Sequence, residues 1–221
     1  MRATRNARPL LTSVGLLAIT ALFGAGCDSA GEDSATPGGS ASPRIRPMTD
    51  TSSAPTVRVD SEVRAVFLPY KPGATAVTYD PKLVPAGATA QVTMRPAADG
   101  VTISLSVTGM VPRRVYGVHL HTDPCGAQPT EAGPHYQHRP DPKAVASPPS
   151  VDPEFANSRN EVWLDFVADS LGAGTANSTK PWRLDEINPP RSLIVHAEQT
   201  KIDPGVAGTA GPRVACLTLP A

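Results

Sequence analysis

The sequence predicts an all-β protein, a sandwich or barrel of seven or eight short antiparallel strands. Residues 101–108 alternate apolar and hydroxyl side chains without error, which is the period of a strand with one buried face. The connections between such segments are rich in the 25 prolines and 18 glycines of the 221-residue chain, as in most sandwiches and barrels. No window keeps an apolar period of 3.6 residues, so we expect little helix.

Residues 1–26 are predicted to be a secretory signal. Three arginines precede a short apolar run that ends in small residues, and the run is shorter than the roughly 20 residues needed to span a bilayer. Cys27 follows directly, in the position of the acylated cysteine of bacterial lipoproteins. We therefore expect a lipid on Cys27, with simple cleavage as the alternative. The protein would lie outside the cytoplasm, membrane-anchored or secreted, where disulfides can form.

Residues 27–56 are predicted to form a flexible tether between this anchor and the folded domain. They consist mainly of Ser, Thr, Gly, Ala, Pro and Asp, so they cannot bury enough apolar surface to offset the entropy of ordering. The folded domain is then assigned to residues 57–221.

The charge balance argues against nucleic acid as a partner. Lys+Arg and Asp+Glu number 20 each, and no basic run appears outside the N-terminus to bind phosphates. The sequence does not distinguish a monomer from an oligomer.

Periodicity places the strands of the domain in order. They are predicted at residues 57–67, 91–95, 101–108, 115–121, 162–168, 192–197 and 214–219. Asp99 and Gly100 form a turn signal, which predicts a hairpin with this dipeptide at its bend.

The longest connection, residues 121–160, is dense in Pro, Asp, Ser and His, and a loop of that length is usually functional or disordered. Because it carries two histidines and a cysteine, we interpret it as functional.

Four histidines suggest a metal site. His119 and His121 share one face of the predicted strand 115–121, His135 lies in the long loop, and His196 comes near the end of the strand 192–197. Any one of them alone could be an ordinary polar residue. Together they predict a nitrogen-ligand site, and imidazole suits copper and zinc.

The order of these motifs resembles the copper/zinc superoxide dismutase family over residues 57–221. The matching pieces are Gly117-Val-His-Leu-His121, Cys125-Gly126, Ala132-Gly-Pro-His135, Ser192-Leu-Ile-Val-His196 and Gly208-Thr-Ala-Gly-Pro-Arg-Val-Ala-Cys216. The resemblance implies a Greek-key eight-stranded barrel with a long metal-binding loop. It also implies that His119, His121, His135 and His196 bind copper, with His135 in the place of the imidazolate that bridges copper to zinc.

The resemblance further implies a function and three more site residues. Cys125 and Cys216 match the family's disulfide, and Arg213 matches the arginine that draws in the anion. The implied activity is copper-dependent conversion of superoxide to oxygen and hydrogen peroxide, with His135 and Arg213 as catalytic residues. The predicted signal would place this activity outside the cytoplasmic membrane.

The zinc site departs from the family pattern. Between His135 and Val162 the chain has only one further histidine, His138, so a zinc site with three histidines cannot be assembled. Either His138 joins carboxylates such as Glu161 or Asp165 in an altered zinc site, or zinc is absent and Glu161 orients His135. The second interpretation is favoured.

The segment between His196 and Arg213 is also short and carries few charges. These departures leave open an alternative function, a copper-binding or copper-retention protein on the same scaffold with little turnover.

Overall fold

The computed structural model describes residues 60–144 and 150–220, and within these ranges it contains nine short strands. In chain order they are β1 (Ser61–Val66), β2 (Ala76–Thr78), β3 (Thr89–Ala97), β4 (Gly100–Thr108), β5 (Val115–His121), β6 (Phe166–Val167), β7 (Gly174–Lys180), β8 (Ser192–His196) and β9 (Arg213–Thr218). One sheet has the order β1-β3-β4-β7 and the other the order β2-β9-β8-β5-β6, and every named strand pair is antiparallel.

The all-β sandwich is confirmed, but the barrel is not closed. The four-stranded and five-stranded sheets remain separate, so nine strands in two sheets replace the expected eight-stranded barrel. β7 pairs with β4 although β5 and β6 of the other sheet intervene in the chain, which is a crossover of the Greek-key kind. Helix in the described part of the chain amounts to one 3₁₀ turn, Pro129–Ala132.

The expected hairpin forms between β3 and β4, but its bend was placed one residue too late. Gly100 pairs with Ala97 as the first residue of β4, which leaves Ala98 and Asp99 in the turn. The structure gives a different reason for glycine at position 100. A Cβ there would overlap the carbonyl oxygen of Lys180, at the end of the neighbouring strand β7.

The predicted strand over residues 162–168 is regular only at Phe166–Val167. The whole segment follows β5 with alternating burial, but Asp165 interrupts the ladder. Its Oδ1 accepts the backbone N–H of Val118 at 3.1 Å, a bond that a strand carbonyl would otherwise take. The burial therefore alternates over residues 162–168 as predicted for a strand, but regular strand structure is limited to Phe166–Val167.

The five-stranded sheet has two different faces because side chains alternate along each strand. Tyr116, Val118 and Leu120 of β5 join the main core with the apolar residues of β4. His119 and His121 point to the opposite face. Ile194 of β8 pairs with His119, and it packs there with Cys216 and Ala132 in a small second cluster. The histidines thus lie on the side of the sheet away from the main core.

Several predictions concern residues outside the described ranges. These are the signal over residues 1–26, the tether over residues 27–56, the acylation of Cys27 and the first residues of the predicted strand 57–67. In residues 60–144 and 150–220 no helix is long and apolar enough to cross a membrane.

Candidate metal centre

Four imidazole rings meet on the outer face of the five-stranded sheet. His119 and His121 come from β5 and His196 from the end of β8, while His135 is brought in by the loop after β5. An isolated bridge between His121 and His135 fixes the loop against the strand. One nitrogen from each ring lies within 4.8 Å of the others. The structure therefore brings together all four residues that were predicted to bind copper.

Backbone carbonyls determine the tautomers of two rings. Nδ1 of His121 is 3.0 Å from the carbonyl oxygen of Gly133, and Nδ1 of His196 is 3.2 Å from that of Gly211. A carbonyl can only accept, so we assign the proton of each neutral ring to Nδ1. Their Nε2 atoms then carry lone pairs, and both are buried without a hydrogen-bond partner.

A buried carboxylate orients the third ring. Oε2 of Glu161 is 3.0 Å from Nδ1 of His135 and also accepts from Nε1 of Trp163 at 2.7 Å. Oε1 accepts from Nε2 of Gln137 at 2.8 Å. Glu161 is only 1% exposed, so these three hydrogen bonds replace the water that would surround an exposed carboxylate. Nδ1 of His135 faces this carboxylate, and its Nε2 faces the other histidines.

The environment favours the neutral form of His119, His121 and His196. Burial, followed by the neighbouring His135, lowers the pKa of His119 and His121 well below the usual value. The same causes, burial first, lower the pKa of His196 to about 3. Neutral imidazoles keep the lone pairs that metal coordination requires.

These features fit a metal ion. Two orphaned Nε2 atoms, buried within a cluster of four imidazoles, would be costly unless a cation satisfied them. An all-nitrogen set of this kind suits copper or zinc better than a hard cation such as Mg²⁺.

His138 and Asp165 do not join the cluster. The ring of His138 stacks on Trp182, with ring centres 4.6 Å apart and planes within 5°. Asp165 lies behind His119, where its Oδ1 is 3.9 Å from Nε2 of that ring. Among the described residues, the four histidines form the one group of three or more metal-ligating side chains. The two additional residues thus do not build a zinc site around Glu161.

A disulfide fastens the loop that carries His135. Cys125 and Cys216 are bonded, 91 positions apart in sequence, as the family resemblance implied. The backbone N–H of Cys125 also donates to Oγ1 of Thr218, at 3.1 Å. The loop is therefore fixed to β9, next to the strand that ends in His196.

Arg213 is placed close to the histidines by the first position of β9. Its Nη1 donates to the carbonyl oxygen of Pro129 at 2.9 Å, which orients the guanidinium. Its positive charge contributes to the lowered pKa of His119, His121 and His196. A fixed cation therefore lies near the candidate metal position.

Sequence reasoning missed Thr200, whose Oγ1 lies 2.7 Å from Nε2 of His119. It also missed the Gly133 and Gly211 carbonyls and the Trp163 donor. A single threonine in a loop has no pattern that would identify it, and backbone carbonyls leave no signal in side-chain chemistry.

Comparison with known proteins identifies the family. The family model "Copper/zinc superoxide dismutase (SODC)" matches residues 88–218, which is more than half of the chain. A search of the curated proteins found no match. Among solved structures, the Cu/Zn superoxide dismutase from Brucella abortus is similar at 17% identity and a TM-score of 0.45, over 72% of this chain and 99% of that one. A double mutant of a SOD-like protein from Bacillus subtilis gives 17% identity and a TM-score of 0.42, over 58% and 87%. On the family match, the chain belongs to the copper/zinc superoxide dismutase family.

Proposed function

We propose that this protein is a copper-dependent superoxide dismutase. The observation that carries the proposal is the convergence of four buried imidazoles, two of which present unpartnered nitrogens to the same point. Bound copper would supply alternate one-electron reduction and reoxidation, by which two superoxide ions and two protons become oxygen and hydrogen peroxide. His119, His121, His135 and His196 would hold the ion.

His135 is the residue of this site that can take up and release a proton close to the bound substrate. Its Nδ1 is engaged by Glu161, so Nε2 is the atom that can take up and release a proton on the side of the other histidines. Glu161 keeps the ring in place during that exchange, because it is itself held by Trp163 and Gln137.

We propose that the site works without zinc. If His135 bridged copper to zinc, as the family resemblance implies, its Nδ1 would face the zinc ion. In this structure Nδ1 instead faces Oε2 of Glu161 at 3.0 Å. His138 stacks on Trp182 instead of approaching that nitrogen. A buried carboxylate with three donors thus takes the place in which zinc would be expected.

Arg213 would attract the anionic substrate. Its guanidinium is oriented by Pro129 and lies near enough to influence three of the histidines. A fixed positive charge in a partly buried position raises the local concentration of anions and thereby the rate of encounter.

One observation favours the alternative, a copper-binding or copper-retention protein with little turnover. Lys201, the lysine in the loop between β8 and β9, is paired with Glu198 at 3.0 Å. Its charge is therefore largely compensated, and anion attraction near the site depends mainly on Arg213. The turnover number of the copper-loaded protein decides between the two functions.

We also propose that the protein is anchored outside the cytoplasmic membrane by a lipid on Cys27, with residues 27–56 as the tether. The support is the sequence of the signal and the presence of a disulfide, which is typical of oxidising compartments. Wild type should partition with membranes and Cys27→Ala should not. If wild type and Cys27→Ala appear in the soluble fraction to the same extent, the lipid anchor is refuted.

The decisive experiment combines metal content with turnover. Metal-free protein should be inactive, and it should gain superoxide dismutase activity with one equivalent of copper and no need for zinc. His121→Ala should abolish the activity, whereas His138→Ala, the matched control, should leave it unchanged because that ring stacks on Trp182. Full activity of metal-free protein, or failure to bind copper, would refute the proposed function.

A further inference from the structure

We propose that Thr200 is a positioning residue of the metal site and that Asp165 acts through it. Together they hold His119 as the tautomer with its proton on Nε2, so that Nδ1 is free to bind a metal. The inference rests on the proposed copper site and adds to it two residues that contact no metal. Thr200 is 9% exposed and His119 is fully buried, so water cannot readily replace this contact.

The hydrogen bonds around Thr200 determine the direction of its hydroxyl. Oγ1 lies 2.8 Å from Oδ1 of Asp165 and 2.7 Å from Nε2 of His119. Both carboxylate oxygens of Asp165 already accept backbone N–H groups, Oδ1 from Val118 and Oδ2 from Thr200 itself, so the carboxylate is an acceptor on each side. A hydroxyl has one proton, and Thr200 donates it to Asp165. Its oxygen must then accept from Nε2–H of His119.

This tautomer directs a lone pair into the site. Nδ1 of His119 lies 3.1 Å from Nε2 of His135, whose own proton faces Glu161. Two lone pairs therefore oppose each other at hydrogen-bond distance, a cost that the bond between His119 and Thr200 offsets in metal-free protein and that a bound cation would remove.

The competing tautomer would close the site. If the proton of His119 moved to Nδ1, that ring would donate to Nε2 of His135 and both metal-binding atoms would be consumed in one hydrogen bond. The Thr200 hydroxyl opposes this change because its oxygen would lose the donor from His119. Asp165 contributes by keeping the hydroxyl proton turned away from the ring.

Gly117 makes room for this arrangement. It lies two positions before His119 on the same strand face, and its N–H donates to the carbonyl oxygen of Glu198 at 2.7 Å. A Cβ at Gly117 would lie 2.5 Å from Cβ of Ala210 and 3.0 Å from Oγ1 of Thr200. Gly117→Ala would therefore displace the loop and its threonine while leaving the hydroxyl in the chain.

The first test reads the tautomer in metal-free protein by ¹⁵N NMR of labelled histidines. In wild type, the His119 ring should show its proton on Nε2, and His121 and His196 should show theirs on Nδ1. Thr200→Val, which has nearly the same shape but no hydroxyl, should move the His119 proton toward Nδ1. An unchanged His119 tautomer in that variant would overturn the inference, whatever the protein does with copper.

The second test measures copper affinity by competition with a chelator. Thr200→Val should bind copper about 10- to 100-fold more weakly, the usual cost of losing a group that orients a metal-binding histidine. Thr200→Ser, which keeps the hydroxyl, should retain most of the affinity. Thr209→Val is the matched control, since its hydroxyl only bonds to Val206 within the same loop.

The outcomes separate this inference from the proposed function. If wild type binds no copper, the proposed function fails, and the tautomer test still decides the role of Thr200. If wild type binds copper and Thr200→Val binds it equally well, or if Thr209→Val loses as much, the positioning role is refuted. Should Thr200→Val not fold, Thr200→Ala, which also lacks the hydroxyl and adds no atoms, gives the same readouts, and an unchanged tautomer with wild-type affinity there would count against the proposal.

Discussion

Glu161→Gln tests whether the Glu161 carboxylate orients His135 from Nδ1, the side of the ring that faces away from the other histidines. Glu161 accepts hydrogen bonds from His135, Trp163 and Gln137, at 3.0, 2.7 and 2.8 Å. Glutamine has nearly the same shape, and its oxygen can still face His135 and Trp163. Its amide nitrogen then faces the amide nitrogen of Gln137. That residue cannot flip freely, because its oxygen accepts from the backbone N–H of Asp141 at 3.0 Å.

The magnitude follows from these contacts. Bonds to a charged group are worth about 1.5–3 kcal/mol and neutral bonds about 1 kcal/mol, so each weakened bond costs roughly 1 kcal/mol. Two such bonds, and one buried donor left facing a donor at about 1–3 kcal/mol, should lower the free energy of unfolding of metal-free protein by about 3–5 kcal/mol, since the side chain is 1% exposed. Copper affinity should fall about 10- to 100-fold, because the orientation of His135 is loosened.

The assay is urea unfolding of metal-free protein at pH 7, followed by copper competition on the same samples. Glu154→Gln is the matched control. Its carboxylate is 65% exposed and pairs with Arg139 at 3.4 Å, so the change should cost at most about 0.5 kcal/mol. If the two variants unfold at the same urea concentration and bind copper equally, the role assigned to Glu161 is wrong.

Three further predictions concern the disulfide, the active-site cation and pH. Replacing Cys125 and Cys216 by alanine opens a loop with a sequence separation of 91, and urea unfolding should show a loss of about 4–5 kcal/mol; a loss under about 1 kcal/mol would contradict the chain-entropy account. Arg213→Gln should slow the copper-loaded enzyme about tenfold or more at low ionic strength and remove most of its salt dependence, as measured by stopped-flow decay of superoxide. In metal-free protein, burial and the neighbouring His135 lower the pKa of His196 to about 3, so the unfolded chain binds more protons below its ordinary value of 6.5. The contribution of His196 to the free energy of unfolding should therefore be fully present above about pH 6.5 and should be lost as the pH drops toward 3. At pH 5 this group alone should lower the free energy of unfolding by about 2 kcal/mol. Urea midpoints that rise as the pH is lowered from 7.5 to 5 would contradict the assignment.

The sequence predicted those strands whose buried face is apolar. β4 and β5 were found because their inward side chains are large and alternate regularly. β7 was missed because its inward residues are small or polar, among them Ser178 and the buried Lys180, and it contributes little apolar periodicity. β2 has three residues, too few to show any period.

For the site, the sequence predicted the ligand types and the structure supplied the surroundings. The four histidines could be identified because imidazole pairs and their order along the chain are visible in the sequence. The zinc question depended on the three-dimensional structure. His138 is only three positions from His135 in the sequence but stacks on Trp182, whereas Glu161 reaches His135 from 26 positions away. Hydrogen-bond partners of this kind depend on loop conformation, which no periodicity records.

The two faces of the five-stranded sheet separate folding from metal acquisition. The main core is formed by Tyr116, Val118, Leu120 and their neighbours on one side, and the histidines occupy the other. The polypeptide therefore does not need an ion to complete its interior, in contrast to a zinc finger, which is unfolded without metal. A newly made chain can therefore fold and form the disulfide between Cys125 and Cys216 first, and it can bind the metal ion afterwards, in whichever compartment supplies that ion.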